Sequence, residues 1–590
     1  MDREKEKDFV HVPVNNPGGP SRPSHHSGAT LAELAEVAGA ALGPALAAQG
    51  DLRITGVSLD SRTIHPGDLY LALPGSRSHG ATFANAAVAA GALAIMTDES
   101  GRSLLGDSVP VPVLALSDVR AVAGPVAARV YGTTGTGDSG HRLELFGLTG
   151  TNGKTTTTYF LNSLLRALGH STGLIGTIEI LAGEEAIPSK LTTPESTDVH
   201  ALLALMAEKD LSAASMEVSS HALAFGRVDG VVFDVAGFTN LTQDHLDLHG
   251  GMEGYFDTKA ALFTPAHARH AVITVDDDWG RRMAEGASVP AVTLSTDPLA
   301  ATGSAQWQVR EVQREGVGSR FTLNGPAGAV LNVHTGLPGG FNVSNAALAL
   351  LMVTTHLLGT GTGTGTGSST DSASGAGTTS GPGSGVGPGI QMLTVLTRLQ
   401  EALDRFDPFT VEVPGRMQLI GTAPVAVVDF AHNPDALARA LDAVRPSAPD
   451  GRLIAVFGAT GERDASKRPI MGAVVAQGAD VVIITDDDPH DEDPAAIRAG
   501  VLAGAREADR DGALGRVIEE CDQRAKAILR AVELARAQDV ILVAGRGHEV
   551  YQEVKGVNIA LDDRVELRKA LASRGFPLTG ASKIESPTDD

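Results

Sequence analysis

The chain has 590 residues, of which 42% are hydrophobic and 20% are charged. Since a domain typically holds about 100–200 residues, this length predicts roughly three or four domains. Acidic residues outnumber basic ones by 70 to 47, and the net charge of −23 argues against a general nucleic-acid-binding protein, which needs a basic surface.

The amino-terminal stretch lacks the pattern of a folded segment. Residues 1–28 are rich in charged residues, Pro, Ser and His, and we expect them to be disordered. They contain no apolar region typical of a signal peptide. The longest apolar stretch of the chain, "AALALLMVTTHLL", is too short to span a bilayer. A single cysteine, Cys521, excludes an intrachain disulfide. We therefore expect a soluble cytoplasmic protein.

Three ordered segments follow. Short helical and extended patterns between residues 29 and 138 predict a first domain. Alternating strands and helices predict a second domain over residues 139–412, and residues 359–389 within it form a tract of Gly, Ser and Thr. That composition is typical of a flexible insertion, here between two helical patterns of one domain. A third domain is predicted over residues 413–580, with a short tail over 581–590.

The second segment opens with "GLTGTNGKTTTTYF", residues 147–160, which predicts a phosphate-binding loop between a strand and a helix. Its glycines allow backbone N–H groups to approach phosphate oxygens, and the N-terminus of the following helix favours an anion. Lys154 is placed to reach the terminal phosphates, and the Thr155 hydroxyl to ligate Mg²⁺. The strict form of the motif requires glycine at Leu148. ATP binding is nevertheless predicted from the combination.

Two further motifs of the second segment carry candidate metal ligands. "SMEVSSHAL" and "FTNLTQDHLDLHG" each follow a strand-like run. Glu217 in the first and His245 in the second are candidates for a metal ion beside the phosphates, although a single histidine after a strand is more often a hydrogen-bonded loop residue.

The third segment contains four short apolar runs, "VAVVDF", "LIAVFG", "VVIITD" and "VILVAG", which predict parallel strands. Each run leads into a polar or glycine-rich stretch: "AHNPDA", "ATGERDASKRP", "DDDPHDEDP" and "GRGHEVYQ". Because ligands bind at the carboxyl ends of such strands, these stretches are predicted to form a binding site.

Taken in order, "TGTNGKTTT", "MEVSSHAL", "TNLTQDHLDLHG", "YFDTKAALF", "GRMQ", "DFAHNPDAL", "FGATGERDASKRP" and "AGRGHE" resemble the motifs of the Mur ligases of peptidoglycan synthesis. The resemblance covers residues 50–570 and is closest to the UDP-N-acetylmuramoyl-tripeptide synthetases, whose loop has the form T-G-T-x-G-K-[ST]. It implies an α/β fold of three domains: a UDP-sugar-binding N-terminal domain, a central P-loop ATPase domain and a Rossmann-like C-terminal domain that binds an amino acid.

The same resemblance implies ATP-dependent formation of an amide bond. The γ-carboxylate of D-glutamate in UDP-MurNAc-L-Ala-D-Glu would take the γ-phosphoryl group of ATP. The amine of a diamino acid would then attack the acyl phosphate. The site must bring two anions together, so Lys154 and Mg²⁺ would neutralise the developing charge.

Roles at the ATP site are carried over from the family. The resemblance implies a catalytic role for Lys154, Lys259 and His245, and Mg²⁺ ligation by Thr155, Glu217, His245 and Lys259. Lys259 matches the lysine that this family carbamylates; without the resemblance it would be an ordinary lysine on a helix surface. The implied ATP-binding residues are Thr149, Gly150, Thr151, Asn152, Gly153, Lys154, Thr155, Thr156, Asn240, Arg416 and His432.

Roles at the substrate sites are also implied by the resemblance. At the uridine end of the UDP-sugar they fall on Leu59, Ser61, Ser76, Arg77 and Ser78. Along the muramoyl-dipeptide they fall on Thr192, Thr193, Ser219 and Arg227. The amino acid would contact Arg463, Gly545 and Glu549, together with Asp487, Asp488, Pro489 and His490.

The amino-acid pocket departs from the family pattern. Members that use meso-diaminopimelate carry D-N-P-R, whose arginine pairs with the distal carboxylate of the substrate. Here His490 stands in place of that arginine, in strongly acidic surroundings. Those surroundings favour a side chain that ends in an ammonium, so we expect L-lysine, with L-ornithine as an alternative. Diaminopimelate is an alternative substrate if Arg463 or a nearby basic group compensates for the missing arginine. A further alternative is that the acidic residues form a solvated loop and another residue selects the substrate.

Two other functions are compatible with the nucleotide loop. A folylpolyglutamate-synthetase-like ligase would perform the same chemistry on a folate, but "SLDSRTIHPGDLYLALPGSRSHGATF" is typical of the members that bind UDP-sugars. A regulatory ATPase would not need the three motifs of the third segment. We expect a monomer with no nucleic-acid partner and no membrane insertion.

Overall fold

The computed structural model describes residues 22–40, 42, 44–75, 78–106, 109–133, 142–188, 191–244, 246–360, 388–446 and 448–579. The chain divides into two compact units. The first contains Met1–Leu143, Leu181–Ser212 and His221–Val231, and the second contains Glu144–Ile180, Ala213–Ser220 and Val232–Asp590.

The amino-terminal part of the first unit is built on a parallel sheet in the order β3-β4-β5-β6. Every residue of β4 and β5 is buried, as in a parallel sheet with both faces covered. The elements are β1 Ala29–Thr30, α1 Leu31–Val37, α2 Pro44–Ala47, β2 Arg53–Ile54, β3 Gly56–Ser58, β4 Asp68–Ala72, α3 Ala84–Ala89, β5 Ala94–Thr97, α4 Glu99–Leu105, β6 Val113–Ala115 and α5 Val119–Tyr131.

The end of the expected disordered tail packs on this sheet. Arg22 donates to both carboxylate oxygens of Asp68, at 2.7 and 2.8 Å, and to the backbone oxygen of Thr63. Asp68 is buried at the start of β4, and a buried carboxylate needs a partner. The structure therefore differs from the expectation over residues 22–28, whereas residues 1–21 lie outside the described part.

The middle of the chain follows the predicted alternation of strands and helices. Its elements are β7 Glu144–Thr149, α6 Lys154–Ala167, β8 Thr172–Ile175, β9 Ile180–Ala182, β10 Glu185–Ile187, α7 Ser196–Glu208, β11 Ala213–Glu217, α8 Ser220–Ala224, β12 Phe233–Phe238, α9 Leu246–His249, α10 Met252–Ala260, β13 Ala268–Thr274, α11 Asp278–Gly286, β14 Ala291–Ser295, β15 Trp307–Glu315, β16 Gly318–Asn324, β17 Val330–Thr335, α12 Gly340–Thr360 and α13 Pro388–Phe406.

The sheet of the second unit is parallel over β8-β11-β7-β12-β13-β14-β15 and continues antiparallel through β16 and β17. Strand β7 lies between β11 and β12, and the three run in the same direction. Their carboxyl ends therefore meet at one edge of the sheet. On α6, Leu161, Leu164 and Leu165 lie on one apolar face and are buried.

Helix α12 is the one described helix that is long and apolar enough to cross a membrane, over Gly340–Gly359. However, 78% of it lies inside the structure, as in the core helix of a soluble protein. Helices α12 and α13 flank the Gly/Ser/Thr tract as predicted, and residues 361–387 of that tract lie outside the described residues.

The carboxyl-terminal part forms a sheet in the order β18-β19-β23-β20-β21-β22, in which β18 alone pairs antiparallel. The four predicted strands are confirmed as β19, β20, β21 and β23. The elements are β18 Gln418–Thr422, β19 Val425–Asp429, α14 Pro434–Ala443, β20 Leu453–Phe457, α15 Lys467–Gly478, β21 Val481–Ile484, α16 Pro494–Ala508, β22 Val517–Glu520, α17 Arg524–Leu534, β23 Val540–Ala544, β24 Tyr551–Val554, β25 Val557–Ala560 and α18 Asp563–Ser573.

A buried ion pair joins α17 to α18. Arg524 donates to both carboxylate oxygens of Asp563, at 2.7 and 2.8 Å, and to the carbonyl of Ala544 at 2.7 Å. Neither side chain is exposed. The pair lies directly under the end of β23, where a candidate binding loop begins.

Removal of one partner should destabilise this domain strongly. In Asp563→Asn, Arg524 keeps its charge but loses its counterion, and we expect a loss of about 3–5 kcal/mol in the free energy of unfolding, measured by urea denaturation. The matched control is Glu519→Gln, which breaks the exposed pair with Arg530 and should cost about 1 kcal/mol or less. Equal losses in the two variants would contradict the assigned burial.

Candidate active site

The predicted phosphate-binding loop joins β7 to α6, at the edge where β11 and β12 also end. Gly150 and Gly153 have φ values of 145° and 92°, which favour glycine. A Cβ at Gly150 would lie 1.9 Å from the Thr239 hydroxyl, so the loop also needs glycine there for close packing. No side chain caps the N-terminus of α6, so its first N–H groups are free to meet an anion.

Two lysines converge on this loop. The ammonium group of Lys154 donates to the carbonyls of Gly150 and Thr151, at 2.9 and 3.0 Å. Lys259, from α10, donates to the same Gly150 carbonyl at 2.9 Å and to the Thr149 hydroxyl at 3.4 Å. Lys259 is only 1% exposed. Its burial and the nearby charge of Lys154 hold the pKa of Lys259 well below its usual range.

The sequence alone gave Lys259 no special role, because α10 carries no clear apolar stripe. The reading of Lys259 as a surface lysine is wrong. Its aliphatic stem and ammonium lie against Tyr255, with Nζ 4.6 Å from the ring centroid. The Tyr255 hydroxyl in turn lies 3.3 Å from the Thr151 hydroxyl, so α10 covers the loop with both side chains.

Next to the loop, a buried carboxylate meets the first turn of α6. The Thr155 hydroxyl donates to Glu217 at 2.9 Å, and the backbone N–H and hydroxyl of Thr177 donate to it at 2.8 and 3.1 Å. Glu217 ends β11 and is 1% exposed. A carboxylate and hydroxyls at this spacing are oxygen donors of the kind that Mg²⁺ prefers. His245 lies outside the described residues.

The other side of the loop is held by the end of β12. Asn240 accepts the Asn152 N–H at 3.0 Å and donates to its carbonyl at 3.1 Å. The Thr151 N–H donates to the Asn240 carbonyl at 2.9 Å. Thr156 is buried in the first turn of α6. Asn240 thus holds the backbone of Thr151 and Asn152 in place, and it also lines the cavity beside the loop.

That cavity is bounded by the ends of parallel strands from both sheets of the second unit. Central-sheet residues on its wall include Asn152, Gly153, Thr239 and Asn240, and the carboxyl-terminal residues include Arg416, Phe430, Ala431 and His432. The structure therefore brings together the predicted ATP-binding residues 149–156, Asn240, Arg416 and His432.

Two glycine motifs meet on the carboxyl-terminal side of the cavity. A Cβ on Gly415, in "GRMQ", would lie 2.1 Å from the backbone of Gly547, in "GRGHE". The guanidinium of Arg416 lies 4.1 Å from the centre of the Phe430 ring and 3.4 Å from His548. Burial and the charge of Arg416 lower the pKa of His548 to about 3, so its imidazole is neutral. Burial also lowers the pKa of His432.

Four of the residues predicted to bind the amino-acid substrate lie around an arginine that the sequence analysis missed. They are Asp487, Asp488, Gly545 and Glu549. Arg546 is fully buried and pairs with Asp488, with Asp487 at 3.8 Å and with Glu549 at 3.6 Å. Gly545, at φ 117°, leaves room for Asp487, whose oxygen lies 2.6 Å from where a Cβ would be. Burial, and then the charge of Asp487, raise the pKa of Glu549 to about 8.

His490 pairs with a carboxylate outside this cluster. Its ring lies 3.1 Å from the Glu553 carboxylate, and its backbone pairs with the β24–β25 hairpin. The loop that carries Arg463 packs nearby, since the Gly461 N–H donates to the Asp488 carbonyl at 2.8 Å. Arg463 itself is exposed and Pro489 is buried.

Several acidic residues of the 485–493 stretch have internal cationic partners. Besides the Asp488–Arg546 pair, Asp486 pairs with Arg498 and Glu492 pairs with Arg468. The acidic charge on which the lysine preference was based is therefore offset in part within the fold. This pairing could not be seen in the sequence, because the arginines lie outside the acidic stretch.

The implied UDP-sugar residues belong to the first unit. Leu59 is half-buried and Ser61 begins a short 3-10 turn that the Asp60 side chain caps. Ser78 is exposed, whereas Ser76 and Arg77 lie outside the described residues.

The implied muramoyl-dipeptide residues are divided between the units. Thr192, Thr193 and Arg227 fall in the first unit and Ser219 in the second. Arg227 donates to the Thr193 carbonyl at 3.4 Å and pairs with Glu195 at 2.9 Å.

The sequence analysis also missed two residues that contact the loop, Asn345, which lines the cavity, and Asp435. Asn345 is buried in the first turns of α12, and its side-chain oxygen would lie 2.5 Å from a Cβ on Gly153. Asp435 accepts from the Asn152 amide at 3.2 Å. Asp435 lies in the quoted stretch "AHNPDA", and a polar residue inside an apolar helical pattern was the available signal for Asn345.

Family models match the chain in three stretches. The model of the Mur ligase family, catalytic domain, matches residues 53–131, that of the Mur ligase middle domain matches residues 148–353, and that of the Mur ligase, glutamate ligase domain, matches residues 415–547. The predicted three-domain α/β architecture is confirmed.

Relatives match over nearly the whole chain. The UDP-N-acetylmuramoyl-L-alanyl-D-glutamate--2,6-diaminopimelate ligase of Streptomyces coelicolor is 42% identical, over 94% of this chain and 98% of its own. The UDP-N-acetylmuramyl-tripeptide synthetase of Leifsonia xyli is 40% identical over the same shares. A solved UDP-N-acetylmuramoyl-L-alanyl-D-glutamate--2,6-diaminopimelate ligase is 28% identical with a TM-score of 0.60, over 93% of this chain and 100% of that one.

The raised pKa of Glu549 predicts how stability depends on pH. Between the ordinary pKa of 4.5 and about 8, the folded protein holds a proton that the unfolded chain has released. The free energy of unfolding should therefore fall as the pH rises through this window. Glu549→Gln removes this titration. The melting temperature of the variant minus that of the wild type should therefore increase as the pH is raised from about 5 to about 8. A difference that is independent of pH would contradict the assignment.

Proposed function

Because the chain belongs to the Mur ligase family, we propose that it joins diaminopimelate to the γ-carboxylate of D-glutamate in UDP-N-acetylmuramoyl-L-alanyl-D-glutamate. The chain is an ATP-dependent ligase of peptidoglycan biosynthesis that forms an amide bond. One observation carries the reaction: the nucleotide loop, with Lys154 and the Thr155–Glu217 pair, lies beside a cavity walled by the amino-acid-binding domain.

Diaminopimelate replaces the lysine that the sequence favoured. Relatives at 42% and 40% identity are named 2,6-diaminopimelate ligases. The physical argument for lysine is also weaker, because Arg546, Arg498 and Arg468 pair with three carboxylates of the acidic stretch. Arg463, on the loop that packs against Asp488, is a cation that could meet the distal carboxylate of diaminopimelate.

The chemical difficulty of the reaction is that a carboxylate is a poor electrophile. Phosphorylation supplies a leaving group, and the acyl phosphate is then attacked by the amine. Both the carboxylate and the γ-phosphate are anions, so the residues around them must offset repulsion. Lys154 and the N–H groups at the start of α6 supply positive charge on one side. The loop carbonyls that Lys154 contacts hold its ammonium in place for this task.

The structure offers a fitting set of oxygen donors for Mg²⁺. Thr155 and Glu217 would hold the ion, and their spacing and burial suit a small divalent cation. When bound, Mg²⁺ supplies charge neutralisation between phosphate oxygens. Glu217 is itself oriented by the two Thr177 donors, so the carboxylate is positioned before any ligand binds.

We further propose that Lys259 is carbamylated. The depressed pKa increases the share of neutral amine at Lys259, and the neutral amine is the form that can attack CO₂. The nitrogen forms a bond to the CO₂ carbon and releases a proton, which leaves a carbamate anion. This anion would replace a cation beside Lys154 by a counterion, which removes the repulsion between the two lysines.

At the amino-acid site, a neutral Glu549 at pH 7 would ionise when the substrate ammonium arrives. An opposite charge nearby favours the carboxylate form, so binding would release a proton. The enzyme would be a monomer. It would act in the cytoplasm, where the nucleotide substrate and ATP are both found.

The amino acid can be identified by phosphate release from ATP in the presence of the UDP-muramoyl-dipeptide. Diaminopimelate should give a kcat/KM at least about tenfold above that for L-lysine or L-ornithine, because a distal carboxylate left without its partner costs binding energy. Lys154→Met is the control and should release no phosphate with any of the three. A preference for lysine would refute the proposed substrate but not the ligase. Release with a folate and L-glutamate instead would favour the folylpolyglutamate-type alternative.

Carbamylation of Lys259 can be tested independently of turnover. With ¹³C-bicarbonate, the wild-type protein should show a carbamate ¹³C resonance that Lys259→Arg lacks. The matched control is Lys569→Arg, a change at an exposed lysine on α18, which should keep the resonance. We also expect Lys259→Ala to lower kcat by about 10²–10³-fold, as for loss of a group that organises charge at the reacting centre. A wild-type spectrum without the resonance would exclude the modification.

A further inference from the structure

A second arginine lies beside Arg227 in the first unit. Arg227 pairs with one oxygen of Glu195 at 2.9 Å, and Arg120 donates to the other oxygen at 3.3 Å. Arg120 also donates to the Phe225 carbonyl at 3.4 Å. Both guanidinium groups lie within 6 Å of the centre of the Phe225 ring, at 5.9 and 5.8 Å. One carboxylate and one aromatic ring are thus shared by two cations.

Arg120 is held firmly by its own helix. It is the second residue of α5, and the Asp118 side chain caps this helix by accepting the Arg120 and Ala121 N–H groups at 2.9 and 3.1 Å. Such a side-chain cap stabilises the start of a helix. The guanidinium therefore extends from a fixed point of the backbone.

The loop that carries Arg227 is fixed against the same helix. A Cβ on Gly124 of α5 would lie 2.2 Å from the Asp229 carbonyl, so only glycine allows this approach. The His200 ring lies 2.9 Å from that carbonyl and 2.6 Å from the Thr133 hydroxyl, at the end of α5. Burial lowers the pKa of His200 to about 4, so the ring is neutral and acts as a bridge. The loop that carries Arg227 is thus packed against α5, and Arg120 and Arg227 approach Glu195 from these two elements.

The charge of this group explains why two arginines are needed. With Arg227 alone, Glu195 would balance its charge, and the pair would offer little attraction to an anion. With Arg120 added, the group keeps one net positive charge. Glu195 also orients Arg227 towards the Thr192–Thr193 stretch, since Arg227 donates to the Thr193 carbonyl.

We infer that Arg120 is a positioning residue that neutralises Glu195 and so leaves Arg227 available to bind an anionic group of the sugar-peptide substrate. The inference rests on the proposed function, in which Arg227 contacts the muramoyl-dipeptide. The ligand chemistry is a carboxylate, the charged group at the peptide end of that substrate. Arg120 itself does not contact substrate in this scheme and acts through Glu195.

The test compares KM values for the three substrates in single and double variants. Arg120→Gln should raise KM for the UDP-muramoyl-dipeptide about tenfold, equivalent to about 1.4 kcal/mol, while KM for ATP and diaminopimelate and the value of kcat change less than about twofold. Adding Glu195→Gln restores the net charge of the group. The double variant should therefore bring KM for the dipeptide back to within about threefold of the wild type, unlike a purely structural defect.

Two controls make the outcomes decisive. Arg102→Gln removes an exposed arginine from α4 of the same unit and should leave all three KM values unchanged. Arg120→Lys keeps the charge and should recover most of the dipeptide affinity. A normal KM for the dipeptide in Arg120→Gln, or a double variant worse than the single one, would overturn the inference. If the wild type itself turns over no muramoyl-dipeptide, the proposed function fails, and this inference fails with it.

Discussion

Two lysine side chains donate to one carbonyl oxygen, that of Gly150, and the nucleotide site is organised around this contact. Lys154 comes from the first residue of α6 and Lys259 from α10, each with its nitrogen 2.9 Å from the oxygen. Burial lowers the pKa of both lysines, and the charge of Lys154 lowers that of Lys259 further. Glu217 and Asp244 offset part of that cost for Lys154. Under the proposed function, a polyphosphate would balance the charge of Lys154, and carbamylation would place a negative charge on Lys259.

The position of that carbonyl follows from the order of the strands. Strand β7 lies between β11 and β12, so the loop after Thr149 has Glu217 on one side and Asn240 on the other. The Thr239 hydroxyl donates to the Asn152 carbonyl at 2.7 Å and leaves no space for a side chain at Gly150. The loop is therefore shaped by its neighbours before a nucleotide binds, and preorganised donors of this kind stabilise a developing charge without further rearrangement.

Local patterns in the sequence predicted the strands, the loop and the order of the domains, because each depends on residues close together in the chain. The four apolar runs of the third segment became β19, β20, β21 and β23, and the glycine-rich loop joins β7 to α6 as predicted. Long-range contacts were not predictable. Lys259 is buried by a loop 109 residues earlier, and Arg22 pairs with Asp68 from a stretch with a disordered composition. Arg546 was overlooked because its carboxylate partners come mainly from another strand end, 58 residues earlier.

The same limit explains why charge counted along the chain misled the choice of amino acid. The acidic stretch after β21 suggests a pocket for an ammonium, but its charge in the fold is set by arginines on α15, on α16 and after β23. If Arg227 binds the substrate as proposed, the group formed by Arg120, Glu195 and Arg227 is the opposite case, because Glu195 would cancel the charge of Arg227 unless Arg120 were present. Coulomb energies act over a few ångströms, so a binding site is selective through the net charge of groups in contact. At both sites the residue that decides this net charge lies far along the chain from a carboxylate with which it pairs, because Arg546 is 58 residues from Asp488 and Arg120 is 75 residues from Glu195.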